Sequence, residues 1–476
     1  TTATGIEVTG EVAASQDYPD IRPALDFNFA SQKKLDPRLE YERTGPASFV
    51  NEFGKVVIVG DNAPRFDHDP VTRESKGLLI EEERTNHLLY SEMLQDWSFG
   101  VGTDVFTASS GSQLSANPDG SSPAYHYVPS STAGHHRFNR YVTVPTLDTN
   151  YVVSVFVKRV TAGTASNLNQ YVELEVTGNF NGNSSGTGQS GSNGGSHVVY
   201  DLQNLTIHNG QSNNTSGFVG DSKLEDYGNG WYRCSYVFNP GIGSNSTGQV
   251  WWGHPSTTSG DAGNEQGNGN PSFYFWGASV EKGSFLTSYI PTNGSAVTRG
   301  QDFLVMTGTD VDDIFNPTEG TMFYEASVTD LTNANQPIVA FRNSLNTGEE
   351  FFAMGHATGG SPGYVRVWAK NSDGTNIHLT THTSAALIAD TPYKHAFGYA
   401  YNNYSDVFTQ GTNSSQLNNT TGNYPMMATG VINELRFGAY YTNLTNKAYS
   451  LESGHIKRFS YWPQRITNSQ LKTYTS

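Results

Sequence analysis

The sequence predicts an all-β protein: two antiparallel β-sandwich (jelly-roll) domains, an amino-terminal extended β leader and a short carboxy-terminal helix. Apolar and polar residues alternate in many runs rich in β-branched and aromatic residues, such as YVVSVFVKRV, GWYRCSYVF and TMFYEASV. Turn formers, mainly glycine and asparagine, separate these runs. Long stretches with the apolar spacing of a helix are missing.

The order of these runs divides the chain into four parts. The leader contains the strand-like runs LDFNFA and GKVVIVG, and an acidic, strand-poor stretch separates the two series of strands. Two tracts rich in Gly, Ser and Asn, 181–196 and 256–270, lie inside the first series and are predicted to be surface loops rather than linkers. The predicted parts are a leader at 1–86, a jelly roll at 87–290, a linker at 291–317 and a second sandwich at 318–476.

The end of the sequence, ITNSQLKTYTS, predicts the short helix. Thr467 or Asn468 would cap its first turn, because a side-chain oxygen at that position accepts a hydrogen bond from a free backbone amide. Leu471 would lie against the second sandwich.

Composition excludes several classes of function. Charged residues are 15% of the chain, against about 25% in an average soluble protein. A formal net charge of −16 argues against nucleic acid, since phosphate binding needs clustered lysine and arginine. No run of eighteen apolar residues occurs, so membrane insertion is not expected, and the first residues lack the pattern of a signal peptide. The single Cys234 cannot form an internal disulfide and is expected to be buried.

Known catalytic and metal-binding spacings are absent from the sequence. Two G-x-S-x-G matches, 182–186 and 359–363, fall in loops, whereas a hydrolase nucleophile lies between a buried strand and a helix. His135 and His136 beside Arg137 indicate an exposed strand edge rather than metal ligands. We therefore assign no catalytic residue and no cofactor.

Aromatic residues beside polar ones are the candidates for sugar binding, because an aromatic ring stacks on a pyranose while polar groups bind its hydroxyls. In QVWWGHP one of the adjacent tryptophans must face the core and the other must face away from it. Core packing, or a contact with another copy of the chain, is the competing interpretation for each candidate. The candidates are Trp251, Trp252, His254, Arg366, Trp368, Tyr440 and Tyr441.

The most charged segment, PRFDHDPVTRESKGLLIEEERTN at 64–86, has two interpretations. A metal site requires side chains that converge on one point, and closeness in sequence does not provide this. As structure, the segment is two extended arms joined by the turn TRESK. Arg84 would then pair with a neighbouring carboxylate, and Asp67 and Asp69 would order the turn, which makes these three residues a structural brace. A bound structural calcium ion is the alternative.

Two segments of the sequence resemble motifs of bacteriophage tail-fibre and other virion proteins. They are RFDHDPVTRESKGLLIEEERTNHLLYSE at 65–92, followed by Trp97, and FYFWGASVEKGSFLTSYIPTNGSAVTRGQD at 273–302. The region between them, with PDGSSPAYHYV and TNYVVSVFVKR, is similar to jelly-roll carbohydrate-binding modules. The last part, from EGTMFYEASV to GHIKRFSYWPQRITNSQL, resembles a concanavalin A-like or laminin-G-like sandwich.

The resemblance implies a non-enzymatic protein of the virion surface, such as a tail-fibre subunit, made in the host cytoplasm. Its expected partners are copies of itself, for example in a trimer, other virion proteins and a cell-surface polysaccharide. Two alternatives stay open: a decoration or filament subunit that binds only itself, and a polysaccharide depolymerase, either a lyase or a glycoside hydrolase. The fold itself is shared by many unrelated activities.

Overall fold

The computed structural model confirms the all-β prediction, with 51% of the described residues in strands and 6% in helices. Its sheets are antiparallel and pack face to face in two sandwiches. The structure describes residues 22–476 apart from 101, 178–195, 210–217, 242–245, 256–264, 333–335, 345–350, 358–362, 371–375, 402, 412, 420–431 and 440–450.

The first part of the chain forms short strands and one helical turn. They are β1 Leu25–Asn28, α1 Phe29–Gln32, β2 Glu40–Glu42, β3 Ala47–Val50, β4 Val56–Val59, β5 Phe66–His68, β6 Ser75–Glu81 and β7 Arg84–Asn86.

The middle of the chain supplies the strands of the first sandwich. They are β8 Ser98–Phe99, β9 Val105–Ala108, β10 Tyr125–Val128, β11 Ala133–Gly134, β12 Arg137–Thr143, β13 Tyr151–Arg159, β14 Tyr171–Thr177, β15 Ser196–Asp201, β16 Thr206–Asn209, β17 Phe218–Asp226, β18 Trp231–Phe238, β19 Thr247–Gly253, β20 Glu265–Gln266 and β21 Phe273–Lys282.

The last part supplies most of the second sandwich. Its elements are β22 Val297–Arg299, β23 Phe303–Thr307, α2 Thr309–Asp312, β24 Glu319–Val328, β25 Gln336–Arg342, β26 Phe351–Ala357, β27 Tyr364–Lys370, β28 Asn376–Ala386, β29 Tyr393–Ala400, β30 Asn403–Gln410, β31 Asn413–Asn419, β32 Glu434–Phe437, β33 Ser453–Trp462 and α3 Asn468–Thr475.

The first sandwich has one sheet in the order β17-β18-β13-β21-β10-β9, to which β7 and β22 are added, and a facing sheet in the order β16-β15-β14-β19-β12-β8. Alternate residues of the strands meet between them, as the period of two requires. The shared core includes Phe138, Val155, Cys234, Trp252 and Phe275. The other face of the six-stranded sheet is therefore the place where its polar residues lie.

The second sandwich has one sheet in the order β31-β30-β29-β24-β33-β6-β5, with β1 paired to β33, and a facing sheet in the order β2-β23-β32-β25-β26-β27-β28. Aromatic residues fill the space between them: Phe27 lies 6.1 Å from Phe437, and Phe437 lies 5.4 Å from Phe459. Phe27 belongs to the leader, so the core of this sandwich is built from both ends of the chain.

Strands from the predicted leader and the predicted linker belong to the sheets of the second sandwich. Leader strands β1 and β6 pair with β33, and β2 pairs with β23. The stretch 291–317 contains β22 and β23 and not only a linker. Leu304 and Met306 of β23 are fully buried, which explains why this short apolar run joins the sheet.

The carboxy-terminal helix α3 forms as the sequence predicts. The Thr467 side chain accepts a hydrogen bond from the backbone amide of Gln470, whose own side chain accepts one from the Thr467 amide. These reciprocal bonds satisfy amides that a helix start leaves without partners. Leu471 is fully buried against the second sandwich. In the described part of the chain no helix has the length and apolarity needed to cross a membrane.

Gly77 shows why the segment 65–92 lies so close to β33. Its φ is +92°, and a Cβ at this position would lie 2.3 Å from the backbone oxygen of Ile456. Glycine is the residue that tolerates both the left-handed conformation and the close approach. The glycine therefore allows β6 to pair with β33 through Leu78 and Ile456.

The two motifs, almost two hundred residues apart in sequence, meet at a buried ionic network. Glu81 accepts hydrogen bonds from the Ser288 amide at 2.8 Å and hydroxyl at 2.6 Å, and lies 2.6 Å from Arg65 and 2.9 Å from Arg299. Asp302 accepts a hydrogen bond from the Glu81 amide at 2.7 Å and also pairs with Arg65. Both arginine side chains are fully buried, so removing one charge would leave others uncompensated.

The three residues proposed as a brace have separate contacts. Asp67 accepts a hydrogen bond from the Val50 amide at 2.7 Å and lies 2.8 Å from the Nε2 atom of His455. Asp69 accepts hydrogen bonds from two backbone amides of the turn that follows it. The Arg84 guanidinium lies 2.7 Å from a carboxylate oxygen of Glu82. Asp67 therefore connects the leader to β33, and Asp69 orders the turn.

Candidate functional site

The candidate site is the outer face of the six-stranded sheet in the first sandwich. Strand register places its residues side by side: Asn139 and Glu175 both lie opposite Trp251, and His197 lies opposite Glu175. The residues that alternate with these along each strand point into the core. This surface, called the outer face below, consists of Arg137, Asn139, Tyr141, Glu173, Glu175, His197 and Trp251.

Trp251 is the centre of the outer face. The Arg137 guanidinium lies 4.1 Å from the centroid of its ring, close enough for a cation–π interaction. Arg137 also lies 3.1 Å from a carboxylate oxygen of Glu175. The indole is half-buried, while Arg137 and Glu175 are buried. An aromatic ring is thus held beside a charged pair, the arrangement that combines apolar stacking with directional hydrogen bonding.

Tyr141 extends the outer face toward solvent. Its side chain is 58% exposed, and it lies opposite Gln249, two residues along β19 from Trp251. Diagonal neighbours at this spacing are about 7–8 Å apart, within reach of one ligand. Asn139 lies directly opposite Trp251 and two residues from Tyr141 on β12, and it donates a hydrogen bond to the backbone oxygen of Ser98 at 3.3 Å.

A groove of about 410 Å³ lies beside Tyr141. This volume is in the range of sites for small ligands, about 300–1,000 Å³. Burial lowers the pKa of His87 in the groove, so its imidazole is neutral at neutral pH. The groove is lined by His87, Leu89, Ser98, Asn139, Arg140, Tyr141, Thr143 and Ala296.

Two of the sugar-binding candidates from the sequence lie in the core instead. Trp252 is fully buried, 4.8 Å from the ring of Trp97, because it alternates with Trp251 on β19. His254 is 1% exposed and stacks on His136 at 5.4 Å. Burial, followed by the proximity of His136, lowers the pKa of His254 to about 3. Neither side chain is placed to contact a ligand at the surface.

His136 also corrects the prediction of an exposed histidine pair. It is fully buried, its Nδ1 atom lies 3.0 Å from Asp104, and its Nε2 atom accepts a hydrogen bond from the Gly267 amide at 2.9 Å. The polar residues around it suggested a surface edge, but a satisfied hydrogen-bond network lets a histidine be buried.

The remaining candidates lie in the second sandwich. Arg366 and Trp368 share the outer face of the seven-stranded sheet, where Arg366 donates a hydrogen bond to Thr381 at 3.1 Å and Trp368 is 6% exposed. Tyr440 and Tyr441 lie outside the described residues, as does the first G-x-S-x-G match. The structure does not bring Arg366 and Trp368 near the outer face of the first sandwich.

Sequence reasoning identified Trp251 but missed its neighbours. Arg137, Asn139 and Tyr141 alternate along RFNRYVT, and Glu173 and Glu175 alternate along YVELEVT. Polar residues at every second position of an otherwise apolar strand mark one face of a sheet. That signal was available, but it does not say which strands are neighbours.

A second group of polar side chains lies inside the second sandwich. His382 on β28, His395 on β29 and Asp406 on β30 each have a ligand-type atom within 4.8 Å of the others. Each of the three is fully buried. Among the residues that the structure describes, this group has the residue types and spacing of a metal site.

No protein-family model matches this chain, and no curated protein matches it. Among solved structures, the extracellular region of zebrafish Gpr126/Adgrg6 is similar at 8% identity and a TM-score of 0.25, over 78% of this chain and 37% of that one. A mutant of the GH43 protein BlXynB from Bacillus licheniformis is similar at 11% identity and a TM-score of 0.22, over 92% and 100%. Mouse laminin alpha1 domains LG4-5 are similar at 12% identity and a TM-score of 0.21, over 70% and 86%.

Similarities at these TM-scores do not assign a function. The chain also spans only 37% of the zebrafish Gpr126/Adgrg6 extracellular region. Function is therefore argued below from the residues of this protein.

Proposed function

We propose that this protein attaches to a cell-surface glycan through the outer face, as a non-enzymatic subunit of a virion surface fibre. The observation that carries the glycan proposal is the arrangement of Trp251 and Tyr141 around Asn139. Pyranose rings stack on aromatic side chains, and their hydroxyls bind amide, carboxylate and guanidinium groups. The outer face has all of these groups.

The charge of the protein favours a neutral or weakly charged polysaccharide. With 44 acidic and 28 basic residues, the surface repels strongly anionic polymers at low salt. The charged pair Arg137 and Glu175 is internally balanced and offers both donors and acceptors. A neutral sugar with several free hydroxyls fits this pair better than a sulfated or phosphorylated one.

The assignment to a virion fibre is supported by the two sequence segments that resemble phage tail-fibre proteins. These segments lie against each other through Glu81, Ser288 and Arg299. Fibre proteins act in several copies, and weak sites then combine through avidity. Self-association, for instance as a trimer, is part of the proposal and is measured by light scattering of the purified protein.

The test is binding of the purified full chain to an array of bacterial and marine polysaccharides, with polymer length followed by chromatography. We expect saturable binding without shortening of the polymer. Trp251→Ala and Tyr141→Ala should each weaken binding about tenfold, equivalent to about 1.4 kcal/mol. Tyr401→Ala is the matched control, since Tyr401 is an exposed tyrosine, 63% accessible, in the second sandwich.

Each other outcome argues against part of the proposal. Equal losses in the Tyr401 variant would contradict a site on the outer face. Shortened polymer would indicate a depolymerase instead of an attachment protein. An absence of binding to every glycan would favour a decoration or filament subunit that binds only itself.

A further inference from the structure

The buried group formed by His382, His395 and Asp406 connects the two sheets of the second sandwich. His382 lies on β28 at the end of the seven-stranded sheet, and the other two lie on β29 and β30 of the facing sheet. The Asp406 Oδ1 atom lies 2.6 Å from His395 Nε2 and 3.0 Å from His382 Nε2. Three potential ligand atoms from three strands therefore converge on one point in the interior.

His382 is the least satisfied member of the group. Its side chain is fully buried; Nε2 lies 3.0 Å from Asp406 Oδ1 without the alignment of a hydrogen bond, and Nδ1 has no hydrogen-bond partner among the described residues. A buried polar group without a partner costs about 1–3 kcal/mol, and such groups are rare. His382 Nε2 therefore lies in the group beside a carboxylate oxygen without a well-aligned hydrogen bond to it.

The other two residues are oriented by neighbouring hydroxyl groups. The Tyr324 hydroxyl lies 3.1 Å from His395 Nδ1, the ring nitrogen that faces away from Asp406. Thr380 donates a hydrogen bond to the second carboxylate oxygen of Asp406 at 2.6 Å. Partners of this kind fix the tautomer and direction of ligands around bound metal ions. Here they direct His395 Nε2 and Asp406 Oδ1 toward His382.

We propose that His382, His395 and Asp406 bind a divalent transition-metal ion, zinc being the best match, which ties the two sheets of the second sandwich together. Imidazole nitrogen and carboxylate oxygen are common ligands of Zn²⁺, at about 2.0–2.2 Å. Two such ligands on a tetrahedral ion lie about 3.3 Å apart. The nitrogen-to-oxygen distances of 2.6 and 3.0 Å need to open by about 0.7 and about 0.3 Å to reach that value.

The test uses the full chain without a histidine tag, from which metal is first removed by chelation. Zinc is then returned, and the zinc content and zinc affinity of the protein are measured. We expect one zinc ion per chain by elemental analysis and a higher melting temperature when zinc is returned. His382→Leu should weaken zinc affinity at least tenfold, a loss of the size seen when metal-site residues are changed. Because His382 makes no well-aligned hydrogen bond in the structure, we expect the metal-free variant to fold, and its melting temperature without zinc checks this.

His356→Leu is the matched control. His356 is also fully buried in the second sandwich, and neither of its ring nitrogens has a hydrogen-bond partner. This variant should bind one zinc ion and gain the same thermal stability as the wild type. Calcium, tested at the same concentration, should have no effect, because it prefers sites made of oxygen ligands only.

The proposal is overturned if the wild type takes up no zinc above the His382 variant, or if zinc leaves its melting temperature unchanged. It is also overturned if the His356 variant loses zinc to the same extent, since that result would indicate a general effect of changing a buried histidine. These readouts do not depend on glycan binding, so this proposal and the proposed function can fail separately.

Discussion

Replacing Glu81 by glutamine removes the negative charge at which the two motif segments meet. Glu81 lies within 3 Å of both Arg65 and Arg299, whose side chains are fully buried. Glutamine keeps the size of the side chain and one carbonyl oxygen, so Ser288 can still donate a hydrogen bond to it. The change therefore isolates the charge, leaving the two arginines with Asp302 as the nearest carboxylate.

The expected loss is about 3–5 kcal/mol in the free energy of unfolding, the size found when one member of a buried ion pair is removed. This is a large part of the 5–15 kcal/mol typical of a whole domain. Burial would raise the pKa of Glu81, but Arg299 and Arg65 outweigh it and hold that pKa far below its usual range. The stabilisation is therefore fully present above the unfolded pKa of about 4.3 and is lost as the pH falls below it.

The assay is urea unfolding followed by tryptophan fluorescence, at pH 7 and at several values below pH 4.5. Wild type and Glu81→Gln should differ strongly at pH 7 and converge on acidification, since glutamine cannot gain a proton. Glu83→Gln is the matched control, because Glu83 is two residues away and exposed, and such changes are usually worth less than about 0.5 kcal/mol. The reasoning is refuted if the Glu81 variant unfolds within about 0.5 kcal/mol of the wild type at pH 7.

Two further predictions concern stability. Trp252→Ala should lower the free energy of unfolding by about 3–5 kcal/mol, because Trp252 is fully buried between Trp97 and Phe138. Urea unfolding measures this loss, and a value below about 1 kcal/mol would contradict the place of Trp252 in the core. Thr467→Ala should lower the stability of α3 by about 1 kcal/mol, since it removes the acceptor for the Gln470 amide. We expect faster amide hydrogen exchange confined to α3, and unchanged exchange would show that the cap is dispensable.

Alternation of apolar and polar residues was enough to predict several of the strands. YVVSVFVKRV became β13, and TMFYEASV became most of β24. The capping residue Thr467 and the buried Leu471 of α3 were also predictable, because helix caps depend on residues near in sequence. Local structure was therefore within reach of the sequence.

The sequence did not predict which strands are neighbours in a sheet. Glu175 pairs with Arg137 across β19, and nothing local to either strand indicates this. The same reason hid the group of His382, His395 and Asp406, which combines three strands from two sheets. A period of two assigns a face to each residue, but the partner on that face depends on sheet order.

The pairing of leader strands with β33 sets an order for folding during synthesis. Residues of the first sandwich, through Lys282, are available early, whereas β1 and β6 have no complete sheet until Trp462 has been made. At about 5–20 residues per second, β1 waits roughly 20–90 s with its edge unpaired. Contacts so distant in sequence also fold slowly, and exposed edges invite pairing with other chains. Newly made copies are therefore most vulnerable to aggregation just before β33 has been made.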